Sequence, residues 1–247
     1  MKIEIITTYN NILFDKYAHR FISSYNLPFD LKIYNEDQNM FELIPECNDF
    51  VKRNKHRKPK SFLYDGVRFC YKIYAFTHAI LNSKADGLIC LDADTVFYNP
   101  FDINFVKNEI HSDNCMMSYL GRGNDNYSEY GFIYFNLKHP KIKNYALEVK
   151  RMYDEDIIYN EKEQHDSYIW DLVRLKFEKE FEVKNKNLGD NKKGHVQKRS
   201  ILSKYFHHNK SELKKKKIFE ISKSIKLRIF KKMIFFNLFM INDDELD

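Results

Sequence analysis

Glycine is scarce in this sequence, at 7 of 247 residues, and none of the glycines belongs to a G-x-x-x-x-G-K phosphate-binding loop. Such a loop holds a phosphate chain with its backbone N–H groups, so its absence counts against a nucleoside-triphosphate enzyme of that type. Cysteine is limited to four widely spaced residues without a C-x-x-C pair: Cys47, Cys70, Cys90 and Cys115. Most of them lie in apolar runs, which predicts buried free thiols in a reducing compartment.

Long hydrophobic runs are also missing, even in the most apolar part of the chain near its end. No unbroken apolar stretch there approaches the roughly 20 residues that cross a bilayer. The opening residues 1–6 include an acidic Glu4 and have the pattern of a first strand rather than of a signal peptide or membrane anchor. We therefore expect the protein to act in the cytoplasm.

Apolar and aromatic residues are abundant, at 43% and 16% of the chain, which excludes a disordered polypeptide. The length suits one globular domain with its own core, which we assign to residues 1–217. Residues 218–247 mix apolar and basic side chains and predict a helical tail. Two interpretations of the tail stay open: peripheral docking on an anionic membrane surface, or packing against this domain or a second subunit.

The net charge is positive, with a formal value of +6 and a pI near 8.9. This balance suits an anionic ligand or surface, but much of the excess lies in local clusters. One such cluster, in residues 52–60, follows the second predicted strand and is typical of a solvated loop.

The clearest chemical signal is a pair of acidic residues, Asp92 and Asp94, directly after residues 87–91. The continuous apolar run there favours a strand covered on both faces, and open α/β sheets bind ligands at the carboxyl ends of such strands. Two carboxylates one residue apart supply hard oxygen ligands for Mg²⁺ or Mn²⁺, and a cation bridging a diphosphate would compensate both charges. A turn capped by aspartate is the alternative.

The motif Leu91-Asp92-Ala93-Asp94-Thr95 resembles the D-x-D signature of GT-A-fold glycosyltransferases, in the branch of glycogenin and bacterial lipopolysaccharide galactosyltransferases. The resemblance implies a Rossmann-like α/β fold with a mixed, mostly parallel sheet flanked by helices. It implies that Asp94 ligates Mn²⁺ or Mg²⁺ and that Asp92 contacts the metal or ribose. A nucleoside-diphosphate sugar, with UDP expected, is the implied donor, and the relatives retain the anomeric configuration.

The first predicted βα unit supplies candidates for binding the nucleotide. Its strand ends in Thr7, Thr8 and Tyr9, and helical spacing follows over residues 11–25. The three side chains can hydrogen-bond the base or ribose and stack on the ring. A plain core role for Tyr9 is equally open.

A predicted helix over residues 62–81 carries one polar stripe, formed by Asp65, Arg68 and Lys72. In the family, the equivalent helix faces the nucleotide. The resemblance therefore implies that Arg68 and Lys72 pair with phosphate or with Asp92. A surface ion pair between Asp65 and Arg68 is the alternative.

The segment 127–136 resembles the family's glycine-bearing strand, which lies beneath the donor and acceptor sugars, with Glu129-Tyr130 in place of the usual Asn-Ser. By this resemblance Gly131 admits a sugar close to the backbone, and Glu129 is a candidate acceptor ligand or catalytic base. A structural glycine in a β-bulge is the alternative for Gly131.

The segment 163–167 resembles the family's D-Q-D element, with His165 in the glutamine position and the first acidic position unmatched. Asp166 is then the main candidate for contacting the transferred sugar or the acceptor hydroxyl. An ordinary helix N-cap fits Asp166 as well.

A third metal ligand is implied by the segment 208–214, which resembles the family's H-x-x-G-x-x-K spacing with Ser211 in the glycine position. By this resemblance His208 completes the metal site, and Lys210 or Lys214 neutralises the leaving diphosphate. Imidazole suits Mn²⁺ better than Mg²⁺. Because His207 is adjacent, the register stays open by one residue, and a surface His-His pair is the alternative.

The favoured function is therefore a metal-dependent glycosyltransferase that acts on a glycan or lipid-linked acceptor and has no nucleic-acid partner. One alternative is a metal-dependent nucleotidyl or phosphoryl transferase, since carboxylates at a sheet edge serve that chemistry too. The other is a non-catalytic basic module that binds membrane or nucleic acid through the 52–60 loop and the tail.

Overall fold

Eight strands lie within the residues that the computed structural model describes, which are 1–123, 127–190, 192 and 194–208. In chain order they are β1 (Ile3–Tyr9), β2 (Asp30–Asn35), β3 (Gly87–Leu91), β4 (Thr95–Phe97), β5 (Cys115–Leu120), β6 (Glu129–Asn136), β7 (Lys184–Asn187) and β8 (Phe206–His208). Six of these strands form one sheet in the order β2-β1-β3-β6-β5-β7, and β4 pairs with β8 in a separate two-stranded sheet.

The six-stranded sheet is mixed and mostly parallel, as the family resemblance implies. Strand β1 pairs in parallel with β2 and β3, and β5 pairs in parallel with β7. Strand β6 runs antiparallel to both of its neighbours, β3 and β5. Since β1, β2 and β3 point the same way, their carboxyl ends meet at one edge of the sheet, and the acidic pair follows β3 there.

Helices and short helical turns connect the strands. The α-helices are α1 (Asn11–Leu13), α2 (His19–Ser24), α3 (Met40–Leu43), α4 (Pro45–Asn54), α5 (Gly66–Asn82), α6 (Ile103–Phe105), α7 (Ile142–Asp154), α8 (Asp166–Phe181) and α9 (Val196–Arg199). Turns of π-helix, Phe14–Ala18 and Val106–Ile110, continue α1 and α6, and 3₁₀ turns lie at Phe62–Tyr64, Ile157–Asn160 and Ile201–Lys204.

Strand β3 is buried on both faces, which explains its unbroken apolar sequence. Leu88 and Cys90 pack into one core cluster with residues of α5, α7 and α8. Ile89 and Leu91 pack into a second cluster that includes residues of α2 and of the π-turn Val106–Ile110. Alternate side chains of a strand point to opposite faces, so β3 is covered from both sides by helical layers.

The cysteines are free, and three of the four are buried, as the composition predicts. No helix in the described part of the chain is long and apolar enough to cross a membrane. The tail, the domain boundary after residue 217, and the two lysines Lys210 and Lys214 lie outside the described residues.

Candidate active site

The acidic motif forms a tight turn at the carboxyl end of β3. The backbone N–H of Asp92 donates to the carbonyl oxygen of Gly131 at 3.0 Å, and that of Thr95 donates to the carbonyl oxygen of Asp92 at 3.1 Å. Between the two acids, Ala93 is buried and packs with Tyr9 and Ala18. A turn therefore exists, but it is closed by backbone bonds, and the Asp92 carboxylate is engaged elsewhere.

That carboxylate is bound by Lys72 of α5, one of the two partners implied for this lysine. The ammonium Nζ lies 2.7 Å from Asp92 Oδ1 and 2.7 Å from Asp166 Oδ2, and donates to the carbonyl oxygen of Tyr130 at 2.8 Å. The three N–H donors of the ammonium therefore have three acceptors. The Lys72 side chain is 13% exposed, so these partners compensate a largely buried charge. Burial alone would lower the pKa of Lys72, but Asp166 and Asp92 outweigh it and raise that pKa. Lys72 therefore carries a fixed positive charge beside the motif.

Asp166 is held at the same edge because it opens α8. The N-cap of α8 is His165, whose Nδ1 accepts a long hydrogen bond of 3.4 Å from the backbone N–H of Tyr168. The N-cap alternative for Asp166 is therefore wrong by one residue. Its side chain instead points to Lys72, and Asp166 is buried.

The polar stripe of α5 is divided between two tasks. Asp65 caps the helix by accepting from the backbone N–H of Arg68 at 3.1 Å, which is why α5 begins at Gly66 and not at residue 62. The alternative interpretation, a side-chain ion pair between Asp65 and Arg68, is replaced by this cap. The Arg68 guanidinium is exposed, with its Cζ 5.7 Å from the centre of the Phe69 ring. Only Lys72 of this stripe reaches the carboxylates among the described contacts.

His208 is brought to the motif by the β4–β8 pairing. Its backbone lies opposite Thr95, the residue directly after Asp94. The residue is 8% exposed, and its Nε2 has no hydrogen-bond partner among the described residues. His207 points to the other face of β8, where its ring lies 5.7 Å from that of Tyr98. Of the two adjacent histidines, His208 is the one that faces inward.

Gly131 makes room for the His208 ring. A Cβ built on Gly131 would lie 1.9 Å from Cε1 of His208, a distance that real structures do not tolerate. The register between β5 and β6 shifts where Tyr119 pairs with Ile133 and Leu120 pairs with Glu129, so the extra residues lie on β6 and include Gly131. Gly131 therefore lies in an irregularity of the β-bulge kind, as the alternative interpretation predicts. The close approach that this glycine permits is therefore made by an imidazole of the same chain.

Glu129 faces the same space as His208. Its carboxylate accepts from the Arg122 guanidinium and, through Oε1, from the backbone N–H of Gly131 at 3.2 Å. Its Oε2 lies 3.5 Å from Nε2 of His195. Burial would raise the pKa of Glu129, but Arg122, His208 and His195 outweigh it and lower that pKa. Within the described chain, Glu129, His195 and His208 form a group whose potential ligand atoms all lie within 4.8 Å of one another.

Two residues at this site, His195 and Arg122, were not predicted from the sequence. Neither residue belongs to a recognisable motif, and each lies in a segment between regular elements. Burial lowers the pKa of His195, which favours the neutral imidazole that can bind a cation.

The carboxyl end of β1 carries a second polar group, centred on Glu36. Thr8 Oγ1 donates to the carbonyl oxygen of Tyr34 at 2.9 Å and to Glu36 at 3.3 Å, and Asn10 Nδ2 donates to Glu36 at 2.9 Å. Burial raises the pKa of Glu36 to about 7, although the bonds from Asn10 and Thr8 oppose the rise. Thr7 is fully buried, and its hydroxyl has no partner among the described residues.

Tyr9 fits the core interpretation, since it packs against Ala93. Of the nucleotide candidates, Thr7, Thr8 and Tyr9 all end β1 at the same edge as the acidic motif. Whether they touch a base or ribose stays a prediction.

No family model and no curated protein matches this sequence. Solved structures with a similar course of chain include the glycosyltransferase GlyE of Streptococcus pneumoniae TIGR4, at 9% identity over 76% of this chain and 45% of that one, with a TM-score of 0.46. Mouse xyloside xylosyltransferase 1 aligns at 10% identity over 76% and 86%, with a TM-score of 0.43. A glycosyltransferase involved in the glycosylation of the major capsid of PBCV-1 aligns at 10% identity over 84% of this chain and 94% of that one, with a TM-score of 0.44.

The match spans less than half of the GlyE chain. At these identities and TM-scores, the likeness establishes neither an activity nor a substrate for this protein.

Proposed function

We propose that this chain is a metal-dependent glycosyltransferase of the GT-A type, which moves a sugar from a nucleoside-diphosphate sugar, UDP-linked, to a glycan or lipid-linked acceptor. The observation that carries the proposal is the position of His208. This histidine is more than a hundred residues from Asp94 in the sequence. The β4–β8 register nevertheless sets it opposite Thr95, with an inward-facing Nε2 that has no hydrogen-bond partner in the described part of the chain.

The residues present fit a divalent cation of the Mn²⁺ or Mg²⁺ kind. Asp92 and Asp94 offer carboxylate oxygens, and His208 offers a buried nitrogen that lacks a partner among the described residues. The bound ion would stabilise the negative charge that grows on the departing nucleoside diphosphate. The carboxylate of Asp92 has a second role, because its other partner is the Lys72 ammonium.

Lys72 places a permanent positive charge between the motif and Asp166. In the proposed reaction it orients both carboxylates and favours a diphosphate nearby, since burial strengthens such charge interactions. Asp166 is then positioned to contact the transferred sugar or the acceptor hydroxyl, and Glu129 is a further candidate for this task.

The remaining parts of the proposal rest on the family resemblance and on composition. They are retention of anomeric configuration, donor phosphate contacts from Arg68, Lys210 or Lys214, a cytoplasmic site of action, and peripheral membrane docking through the tail.

A thermal-shift screen of nucleoside diphosphates, with and without Mn²⁺, tests the proposal. At a ligand concentration of about 100 Kd, binding stabilises the folded state by roughly 2.7 kcal/mol. For a domain of this size that corresponds to a rise of about 5–10 °C in Tm. We expect the rise with UDP and Mn²⁺ together, and only a small shift with either component alone.

Two variants make the screen specific. Asp94→Asn should abolish the Mn²⁺-dependent shift, whereas Asp49→Asn, which changes an exposed acid of α4, should keep it. A shift that needs no Mn²⁺, or one that persists in Asp94→Asn, would contradict the proposed metal site.

A further inference from the structure

We propose that Glu129, His195 and His208 form a second cation site, which takes a transition metal of the Zn²⁺ class and shares His208 with the acidic pair Asp92 and Asp94. The binding of the metal to this triad stands on the geometry of the three residues. The consequence of sharing His208 rests on the proposed function.

The triad is assembled from three separate segments. Glu129 begins β6, His195 directly precedes α9, and His208 ends β8. Their potential ligand atoms lie within 4.8 Å of one another, and the contact from His195 Nε2 to Glu129 Oε2 is 3.5 Å. In a tetrahedral zinc site with bonds of roughly 2 Å, ligand atoms lie about 3.4 Å apart. Small side-chain rotations would therefore bring the triad to binding distance.

His208 is oriented before any ion arrives. Its backbone is fixed by pairing with Thr95 and by a hydrogen bond of 3.2 Å from its N–H to Oε1 of Gln197. Its ring lies against Gly131, where no side chain competes for space. Buried polar atoms are nearly always paired, so an 8% exposed imidazole whose Nε2 has no partner in the described chain is a vacant ligand.

One side of the triad is open to solvent. The His195 side chain is 36% exposed, while those of Glu129 and His208 are largely buried. An ion can therefore enter past His195 and reach the two buried ligands. Three protein ligands leave a fourth position for water or for a substrate oxygen.

The ligand atoms of the triad, two imidazole nitrogens and one carboxylate oxygen, determine which metal it prefers. Two imidazoles and one carboxylate are a known ligand set for zinc, whereas Mg²⁺ and Ca²⁺ prefer oxygen ligands alone. The neighbouring Asp92 and Asp94 offer mainly oxygen and suit Mn²⁺ or Mg²⁺. The two groups therefore differ in the cation that each prefers.

When no metal is bound, the positive charge of Arg122 balances the negative charge of Glu129 in the triad. Its guanidinium pairs with the Glu129 carboxylate, but its side chain remains substantially exposed. An arriving metal must displace that guanidinium, which can then turn towards solvent. Removal of the Arg122 charge should consequently tighten metal binding.

The two cation sites lie side by side. Asp92 donates its backbone N–H to Gly131, two residues after Glu129, and His208 lies opposite Thr95. A single imidazole nitrogen binds one ion, so Zn²⁺ held by the triad withdraws His208 Nε2 from the acidic pair. Zinc should therefore antagonise Mn²⁺-dependent nucleotide binding.

The direct test is a zinc titration of the full chain after removal of metals with a chelator, followed by calorimetry. We expect one site in the wild type, an affinity at least about tenfold weaker in His195→Gln, and a severalfold tighter affinity in Arg122→Gln. His56→Gln, an exposed histidine of a loop, and Asp94→Asn should stay within about twofold of the wild type. Unchanged affinity in His195→Gln would overturn the proposal, and so would loss of zinc binding in Asp94→Asn.

Two further measurements protect this test from a folding artefact. Glu129→Gln keeps the shape of the side chain and should weaken zinc binding like His195→Gln, while circular dichroism checks that each metal-free variant is folded. The visible absorption of bound Co²⁺ should change in His195→Gln, because it reports the coordinating atoms. An identical Co²⁺ spectrum in both proteins would contradict ligation by His195.

The triad and the proposed function can fail separately. Zinc binding that depends on His195, in a protein that shows no metal-dependent nucleotide shift, would support the triad and refute the glycosyltransferase. If the nucleotide shift exists, Zn²⁺ should reduce it in the wild type and have at least about tenfold less effect in His195→Gln. Equal zinc effects in both proteins would refute the sharing of His208.

Discussion

Helix α8 carries two buried carboxylates, Asp166 and Asp171, that are each paired with a cation and each 7% exposed. Asp171 accepts four hydrogen bonds: from the backbone N–H and the hydroxyl of Ser128, from the Tyr130 hydroxyl, and from Nε of Arg174. Among the described residues, Asp166 accepts one hydrogen bond, from Lys72.

This difference separates a structural carboxylate from one that can receive a ligand. Asp171 has filled its acceptor capacity with donors from Ser128, which directly precedes β6, from Tyr130 of β6 and from Arg174 of α8, so it ties the sheet to the helix. Asp166 keeps acceptor capacity at the edge of the sheet, and Lys72, which it shares with Asp92, balances only part of the local negative charge. Two aspartates five residues apart therefore have opposite expected roles.

The largest effect is expected for Asp171→Asn, on stability. The substitution leaves the Arg174 guanidinium and the hydroxyl donors without their charged acceptor, and breaking a buried pair in this way costs about 3–5 kcal/mol. Urea denaturation should show this loss in the free energy of unfolding. The rate of the proposed sugar transfer per folded molecule should stay nearly unchanged. A loss below about 1 kcal/mol would show that the Asp171 network is not a structural tie.

Asp166→Asn should instead act on catalysis. We expect the rate of the proposed sugar transfer to fall about 100-fold, which corresponds to roughly 2.7 kcal/mol in the activation barrier. The loss of stability should be only about 1–2 kcal/mol, because Lys72 keeps its contact with Asp92. Initial rates and urea denaturation of the same preparation give both quantities. Wild-type rates combined with a large loss of stability would make Asp166 structural, like Asp171.

The features that could be predicted from the sequence are those that depend on neighbouring residues, and the features that could not depend on contacts between distant segments. Three features were predictable from local sequence patterns. A continuous apolar run predicts β3 and the position of the acidic motif after it, and helical spacing predicts the helix that carries Lys72. The mixed, mostly parallel sheet was implied by the family resemblance, and the observed strand order confirms it. The N-cap of α8 was missed by one residue, since aspartate is a preferred N-cap residue and histidine is not.

Other parts of the site depend on contacts between distant segments. Gly131 reads locally as a place for a sugar or a bulge, and its role beside His208 becomes visible only once β8 lies next to β4. His195 and Arg122 come from irregular segments without periodicity, so nothing in the sequence indicates that they meet Glu129.

Gly131→Ala tests that distant contact directly. The added methyl group must displace the His208 ring, and such overpacking costs about 1–3 kcal/mol of stability. Zinc and Mn²⁺ affinities should both fall, because both proposed sites use His208. Thermal denaturation and metal titration measure the two effects. A variant that is as stable as the wild type and binds both metals normally would show that the ring needs no glycine.

The smallest effect is expected at Glu36, away from both carboxylates of α8. A rise in its pKa from 4.5 to about 7 favours the protonated form in the folded state, so the wild type loses stability as the pH rises through this range. The loss in the free energy of unfolding is at most about 3.4 kcal/mol. Partial solvent exposure of Glu36 reduces the expected loss to about 1 kcal/mol.

Glu36→Gln cannot ionise, so its stability relative to the wild type should improve between pH 5 and pH 8. Urea denaturation at the two pH values measures this difference. A relative stability that does not change with pH would contradict the raised pKa of Glu36.

The central claim is that His208 helps the acidic pair to hold a divalent cation that binds a nucleoside diphosphate. Water-proton relaxation during a Mn²⁺ titration, with and without UDP, measures it most directly in the wild type, His208→Gln and the control His56→Gln. We expect one Mn²⁺ site that UDP tightens at least about tenfold in the wild type and the control, and that His208→Gln weakens by a similar factor. Mn²⁺ binding that is indifferent to UDP, or equal in all three proteins, would contradict the claim.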